Sequence, residues 1–352
     1  MEKTALPVKS RNEYTVGWVC ALPKEQTAAT AMLDQRHAEL RQPPNDFNTY
    51  TLGSIGGHNI VIACLPKGKY ANNSAASVAT HMIDTFPCIK IGLMVGVGQG
   101  VSPKVRLGDV VVSIPVDSFP GVVQWDLGKE TPDGFERTGA LNHPPLFLLT
   151  KLGQLETKHE MEGSDIPKHL DEMAKRWPNL ATKYLRAGSL EDVLFKAKYD
   201  HVVKHKAGDD GNEEEDQGDS CQLCDKTQTV KRDPPTRGTR VHYGLIASGN
   251  TVINNAKFRN KLNKGLGGNV LCVETEAAGL MSNFPCVVIR GICDYADSHK
   301  NKDWQEHAAA VAAAFAKELL NIMTPDDLDV EPRDKESLSE GQSNTHAMLC
   351  TD

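Results

Sequence analysis

Short apolar, β-branched runs alternate with Ala-rich or amphipathic stretches along most of the chain, and this alternation constrains the fold more than any other feature. Strands are predicted at 14–22, 50–55, 59–65, 89–97, 109–115, 241–246, 269–273 and 286–293. Helices are predicted at 24–33, 74–86, 276–281 and 304–323. Buried strands that alternate with helices are typical of α/β proteins. We therefore predict an α/β fold with a largely parallel or mixed sheet.

Glycines mark two predicted turns between these elements. Gly56 and Gly57 separate two strand-like runs, which indicates a hairpin. The segment 96–100, GVGQG, follows another apolar run and is predicted to be a turn whose backbone N–H groups can approach an anion or a sugar. It lacks the G-x-G-x-x-G spacing of dinucleotide-binding turns and the Lys of a P-loop.

The organisation of the chain follows from its composition. Residues 1–13 are predicted to be a flexible lead and 325–352 a disordered, polar tail. Residues 14–324 are predicted to form one domain, interrupted at about 155–240 by a polar surface insertion. The acidic segment 209–219 lies in this insertion and has no apolar side chain, so we expect it to be solvated.

Charge and hydropathy exclude several classes of function. The 352 residues carry a net charge of -7, which argues against binding to a nucleic acid polymer because phosphate recognition needs a basic surface. No run of about 18 apolar residues is present, so no membrane partner is expected. The first residues lack the apolar centre of a secretory signal. We expect a cytoplasmic protein.

Five acidic residues lie close to apolar runs, where a carboxylate is costly unless it is paired or hydrogen-bonded. Glu274 and Glu276 lie at a predicted strand-to-helix junction, where the dipole of the helix would stabilise one of the two carboxylates. Asp294 and Asp297 follow a buried strand, where α/β folds bind ligands but where helix caps also occur. Glu25 follows the first strand and is open to the same two interpretations.

A second group of residues could hold a metal. Cys221 and Cys224 form a C-x-x-C pair in the insertion, and His201 and His205 precede them. Two thiolates and two imidazoles can make a tetrahedral zinc site, although a single C-x-x-C is not specific. We predict no metal and no cofactor, and keep these four residues as the alternative.

Four segments together resemble the nucleoside phosphorylase and nucleosidase superfamily, in particular the phosphorylase-like domain of fungal proteins. They are VETEAAG (273–279), VVIRGICDYAD (287–297), RLGDVVVS (106–113) and HYGLIASGN (242–250). The resemblance implies a mixed, partly closed β-sheet flanked by helices, a three-layer fold with its active site at the strand ends. It also implies a homo-oligomer.

The resemblance implies roles for individual residues. Asp294 matches the aspartate that protonates the leaving purine, Glu276 the glutamate that binds the ribose hydroxyls, and Glu25 the glutamate that orients the attacking water in nucleosidases. The other substrate-binding positions that it implies are Thr275, Val252, Ile253, Gly98, Val97 and Asn250.

The attacking nucleophile decides between the two branches of this superfamily. Its phosphorylases use an arginine near the end of the first strand and a serine in the glycine-rich segment, where this chain has Glu25 and Val97. A glutamate repels phosphate, so we predict a purine nucleoside or nucleotide N-ribohydrolase. The alternatives are a purine nucleoside phosphorylase and a non-catalytic nucleoside-sensing module. Sensing is favoured by Thr275 and Val252, which depart from the family's methionine and aromatic residue.

Overall fold

The computed structural model describes residues 5–101, 103–185, 190–202, 221–233, 238–300 and 302–328. The acidic segment 209–219, His205 and the part of the predicted tail from 329 onwards lie outside the described residues. Among the described residues, no helix has both the length and the apolar character needed to cross a membrane.

The described residues form twelve strands. They are β1 Val16–Cys20, β2 Gln35–Arg36, β3 Tyr50–Ile55, β4 His58–Cys64, β5 Ile91–Gly100, β6 Val110–Ser113, β7 Val122–Gln124, β8 Gly128–Thr131, β9 Gly134–Arg137, β10 Val241–Ser248, β11 Val270–Glu274 and β12 Cys286–Asp294. Ten of them form one sheet in the order β11-β10-β6-β12-β5-β1-β4-β3-β2, with β7 beside β10, while β8 and β9 pair separately.

The main sheet is mixed and closes partly on itself. β5 runs parallel to β1 and β12, whereas β12 runs antiparallel to β6 and β3 antiparallel to β4. A short antiparallel contact between β11 and β5 pairs Cys272 with Gly100 and Val273 with Gln99. Strands β11, β10, β6, β12 and β5 therefore form a ring, which confirms the predicted α/β fold with a mixed, partly closed sheet.

Helices cover both faces of this sheet and complete three layers. They are α1 Pro23–Met32, α2 Asn72–Thr85, α3 Leu146–Glu162, α4 Ile166–Arg176, α5 Pro178–Tyr184, α6 Ala256–Gly265 and α7 Gln305–Asn321. Alternate residues of each strand point to opposite faces. Thus Ile62 packs into the core cluster that contains α1 and α7, whereas its neighbour Val61 packs into the cluster that contains α2.

Helix α7 fixes the position of β12, the strand that ends at Asp294. The backbone of Gly291 lies so close to this helix that an added Cβ would be 1.9 Å from the carbonyl oxygen of Ala308. Small side chains on both elements allow this approach, since any larger residue at Gly291 would separate helix and strand. The Ala-rich composition of α7 therefore anchors the centre of the sheet.

The structure differs from the sequence prediction in several elements, among them β2, β7, β8, β9 and the helices α3 to α6, which the sequence analysis did not predict. The segment 96–100 is not a turn, because β5 continues through it to Gly100. The helix predicted at 276–281 is only a 3₁₀ turn, Ala277–Gly279, where an added Cβ on Gly279 would lie 2.0 Å from the carbonyl oxygen of Asn72. Within the predicted polar insertion, helices α3 and α4 bury apolar side chains against the main core.

Candidate active site

Arg290 lies at the centre of a buried group of carboxylates. It is fully buried on β12, and its Nη2 atom donates to Oε2 of Glu274 and lies 3.6 Å from Oε2 of Glu276. Burial alone would lower the pKa of Arg290, but Glu274, Glu276 and Glu25 together raise it above its ordinary value. The guanidinium is therefore the shared positive charge of three acidic side chains.

Glu25 is held at the start of α1 by the backbone around it. Its carboxylate accepts hydrogen bonds from the N–H groups of Val97 (2.7 Å), Ala21 (2.7 Å) and Leu22 (2.9 Å). The residue is only 3% exposed, and burial raises its pKa although Arg290 and these N–H groups lower it. The sequence left the role of Glu25 open, and the structure directs its carboxylate to β5 at the sheet centre.

The glycines of β5 make room for these charged side chains. An added Cβ on Gly96 would lie 2.4 Å from Oε1 of Glu25 and 2.6 Å from Nη1 of Arg290. An added Cβ on Gly98 would lie 2.4 Å from Sγ of Cys272. The glycines therefore serve close side-chain approach, which explains why a strand tolerates a composition that is typical of a turn.

Glu274 and Glu276 have different surroundings although they are two residues apart. Oε2 of Glu274 accepts from the N–H groups of Glu276 (3.1 Å) and Ala277 (2.9 Å) as well as from Arg290, so this carboxylate stabilises the strand-to-turn junction. Glu276 accepts from the Thr275 hydroxyl, and its Oε2 atom has only the longer contact with Arg290. Burial raises the pKa of Glu276 to about 7. Glu276 thus keeps acceptor capacity for a ligand.

Asp294 ends β12 and is held by a different set of groups. Its Oδ1 atom accepts from Nε2 of Gln99 (2.9 Å) and from the N–H of Ala296 (2.9 Å), and its Oδ2 atom lies 3.6 Å from Nζ of Lys300. Gln99 also donates to the carbonyl oxygen of Ile253 at 2.8 Å. Gln99 therefore links the acid to the segment that the sequence predicts to contact the base.

The segment after Asp294 is supported by the polar insertion. The hydroxyl of Tyr295 donates to Asp192 and accepts from Nη1 of Arg232 at 2.8 Å. Asp297 accepts from the N–H of His299 at 2.9 Å, which is a local contact within the turn that follows β12. These contacts fix the loop 295–300 on which Lys300 approaches Asp294.

The remaining predicted binding residues lie around this centre with unequal exposure. Val252 is half exposed, whereas Ile253 is buried. Asn250 lies on an exposed turn, where its N–H and Nδ2 groups both donate to Oδ2 of Asp126. Val97 and Gly98 lie in β5 beside Arg290.

Two further residues lie beside the predicted acids. Oε2 of Glu276 is 3.6 Å from Nη2 of Arg290, and the side chains of Glu25 and Arg290 both lie against Gly96. Asp294 is on the same strand as Arg290, one bulge further along, and accepts from Gln99. Sequence analysis missed both Arg290 and Gln99. The signal for Arg290 was available, because a single cation inside an apolar strand must have a carboxylate partner when it is buried.

Three of the four candidate zinc ligands, His201, Cys221 and Cys224, lie close together in the structure. Nδ1 of His201 lies 3.2 Å from Sγ of Cys224 and 3.7 Å from Sγ of Cys221, and both thiols are free. His205, the fourth predicted ligand, lies outside the described residues.

Comparison with known proteins gives relatives of two kinds, although no family model matches the chain. A nucleotide-binding leucine-rich repeat (NLR)-like protein of Hyaloscypha variabilis is 46% identical over 323 residues, which are 91% of this chain. The chain spans only 30% of the length of that protein. A 5′-methylthioadenosine/S-adenosylhomocysteine nucleosidase of Mycobacterium tuberculosis is 25% identical over 314 residues, 88% of this chain and 96% of the enzyme.

Solved structures share the fold at lower sequence identity. Futalosine hydrolase of Helicobacter pylori has a TM-score of 0.54 and 17% identity, and the match covers 89% of this chain and 100% of that one. The 5′-methylthioadenosine/S-adenosylhomocysteine nucleosidase of the same organism, in complex with a substituted pyrrolopyrimidine, has a TM-score of 0.54 and 16% identity, covering 88% and 99%. The chain therefore shares the fold of these solved nucleosidases and is similar in sequence to a nucleosidase over most of its length.

Proposed function

We propose that the protein is an N-ribohydrolase that cleaves the N-glycosidic bond of a purine nucleoside or nucleotide. The observation that carries the proposal is that Glu276 lies 3.6 Å from the buried Arg290 and that Glu25 lies against the same glycine, Gly96, as Arg290, with Asp294 at the end of the same strand. Breaking this bond builds positive charge on the ribose and negative charge on the base. Fixed carboxylates and a proton donor lower the free energy of that transition state.

Asp294 is the proposed acid for the departing base. A positioned acid that neutralises the leaving group contributes about 10²–10⁴-fold to the rate. Oδ1 accepts from Gln99 and Ala296, whereas Oδ2 has only the longer contacts with Sγ of Cys293 (3.5 Å) and Nζ of Lys300 (3.6 Å), so Oδ2 is the oxygen proposed to pass a proton to the base. Because Gln99 also holds the carbonyl of Ile253, the proposed base-contact segment and the acid are fixed relative to each other.

Glu276 is the proposed acceptor for the ribose hydroxyls. Its Oε2 atom is 3.6 Å from Arg290, a distance too long for a strong hydrogen bond, so it can accept from a ligand instead. The ionised carboxylate also stabilises the cationic sugar as the bond breaks. Thr275 orients the other carboxylate oxygen through its hydroxyl group.

Glu25 is the proposed base that activates water. Three backbone N–H groups fix the direction of its carboxylate, and burial raises its pKa, which strengthens the carboxylate as a base. The same negative charge disfavours phosphate as the nucleophile. This electrostatic argument favours hydrolysis over phosphorolysis.

An adenine nucleoside is the substrate that the comparisons favour. The mycobacterial relative is named for 5′-methylthioadenosine and S-adenosylhomocysteine, and it aligns with 88% of this chain. Both compounds are adenine nucleosides with a substituent at the ribose 5′ position. We therefore propose adenosine or a 5′-substituted adenosine as the substrate of this chain.

A non-catalytic sensing module is the second candidate, because the chain aligns with 30% of a larger NLR-like protein. Such a module would bind a nucleoside without cleaving it.

Assays of free base distinguish these proposals. We would incubate the protein with adenosine, 5′-methylthioadenosine, guanosine or AMP, with and without inorganic phosphate, and use Asp294→Asn as the control. Base release without phosphate, abolished in the control, is the expected result. Release that requires phosphate would identify a phosphorylase, and nucleoside binding without release of any base would favour sensing.

A further inference from the structure

The two described arms of the polar insertion, 190–202 and 221–233, have little core of their own. One isolated bridge joins Phe195 to Thr229, and two backbone hydrogen bonds flank it, from Lys196 to Gln228 at 2.9 Å and from Val230 to Leu194 at 2.8 Å. Segments of this size need a staple, such as a bound metal or a disulfide, to hold a defined geometry.

We propose that a zinc ion is this staple, bound by Sγ of Cys221, Sγ of Cys224 and Nδ1 of His201. The three ligand atoms lie within 4.8 Å of one another. Zinc–sulfur and zinc–nitrogen bonds of about 2.3 Å and 2.0–2.1 Å give a tetrahedral S–N edge of about 3.5 Å. The distances from Nδ1 of His201 to the two sulfur atoms, 3.2 Å and 3.7 Å, lie on either side of this value.

The donor set selects zinc over other common ions. Two thiolates and one imidazole are soft or borderline ligands, which Mg²⁺ and Ca²⁺ do not favour, and the C-x₂-C spacing is usual for zinc. Cys224 is buried and Cys221 half-buried, and both are free thiols rather than partners in a disulfide. Zinc would displace the two thiol protons to solvent as the thiolates bind.

An independent observation beside the cluster also indicates a ligand. The side chain of His299 is 5% exposed, and neither of its ring nitrogens has a hydrogen-bond partner among the described residues. Its ring stacks on Phe195 with centroids 3.9 Å apart and meets His201 edge-on at 5.6 Å. A buried imidazole without hydrogen bonds is costly, and a metal or its bound water supplies the missing partner.

The site would connect the insertion to the loop that follows Asp294. The N–H of His201 donates to Oγ of Ser298 at 3.0 Å, and Sγ of Cys221 lies 4.0 Å from the carbonyl oxygen of His299. Lys300, the next residue, contacts Asp294. The zinc therefore has a positioning role, and its presence is independent of whether the proposed hydrolase activity is correct.

Metal analysis of the full chain tests the site directly. The protein would be purified with a reductant, dialysed against ZnCl₂ and then against metal-free buffer, and its zinc measured by mass spectrometry. We expect about one zinc per chain in the wild type and in Cys64→Ser, a half-buried free thiol elsewhere, and a loss of at least tenfold in Cys221→Ser/Cys224→Ser. Equal zinc in the wild type and the double variant would overturn the proposal.

Cobalt substitution keeps the test valid if the double variant does not fold. Co²⁺ bound by two thiolates gives an intense sulfur-to-metal charge-transfer band in the wild type, which we expect to weaken in the single variant His201→Ala. A wild-type protein that shows no such band, or that contains a Cys221–Cys224 disulfide despite the reductant, would exclude a thiolate zinc site.

Discussion

The Arg290 cluster and the loop 295–300 fix acidic side chains in two different ways. Glu25, Glu274 and Glu276 are held by strands of the main sheet, by backbone N–H groups and by one shared guanidinium. Asp294 depends instead on the side-chain amide of Gln99, on the backbone N–H of Ala296 and on Lys300, which is partly exposed. The comparison teaches that acids of equal burial can depend on different partners: the three glutamates lie around one fully buried cation, whereas the proposed acid, 4% exposed, depends on amide donors and a partly exposed lysine.

Replacement of Arg290 should have the largest effect, because it leaves three buried carboxylates without their cation. Breaking a buried ion pair costs about 3–5 kcal/mol, so we expect Arg290→Met to lower the free energy of unfolding by at least this amount. Urea unfolding at pH 7 measures the change, with the exposed Arg36→Met in β2 as the matched control. A variant as stable as the wild type would show that the cluster is not held together by this charge.

Replacement of Asp294 should separate activity from stability. We expect Asp294→Asn to lower kcat by about 10²–10⁴-fold, because it removes the proton donor. The free energy of unfolding should change by less than about 1 kcal/mol, because the amide oxygen still accepts from Gln99. Asp297→Asn, which alters an acid in the turn after β12, is the control and should keep its activity. Full activity in Asp294→Asn would mean that the acid is another residue.

A methyl group at Gly96 should disturb the cluster without removing any charge. Its Cβ would lie 2.4 Å from Glu25 and 2.6 Å from Arg290, so Gly96→Ala should destabilise the protein by about 1–3 kcal/mol. Gly153→Ala is the matched control, because an added Cβ in this exposed position of α3 has no neighbour within 4 Å and should stabilise the helix. Thermal unfolding compares the two variants; equal melting temperatures would contradict the close packing.

The pH dependence of kcat/KM should report Glu276. Its pKa is raised to about 7, so the carboxylate becomes protonated, and loses its function, as the pH falls through this value. We expect kcat/KM to decrease about tenfold per pH unit below pH 7, and this decrease to be absent from the low residual activity of Glu276→Gln. An unchanged acid limb in Glu276→Gln would assign the titration to a different acidic group of the cluster, such as Glu25.

The sequence predicted eight of the twelve described strands, because long buried strands contain local runs of apolar residues, whereas β2, β7, β8 and β9 are short and, apart from β7, largely exposed. The hairpin of β3 and β4, with Gly56 and Gly57 between them, was confirmed for this reason. The segment 96–100 was misinterpreted as a turn because glycine composition does not distinguish a bend from a place where side chains approach the backbone. The contact between β11 and β5 joins residues far apart in the chain, and no local pattern indicates it.

The candidate site was predictable in its residue types but not in its division of roles. Glu274 and Glu276 have the same side chain, and only the N–H groups that each carboxylate meets distinguish the structural residue from the proposed ligand. Gln99 could not be identified, because its importance comes from bridging Asp294 to Ile253 across the sheet.

The sharing of Arg290 has a consequence for judging which homologous chains are enzymes. Selection for folding alone would tend to preserve Glu25, Glu274 and Glu276, since each loss would leave the buried guanidinium of Arg290 with fewer carboxylate partners. A descendant that had abandoned catalysis would therefore retain these acids long after its activity had gone. We expect substitutions to accumulate first at Asp294, because its cation partner, Lys300, is partly exposed and can be hydrated when the carboxylate is lost.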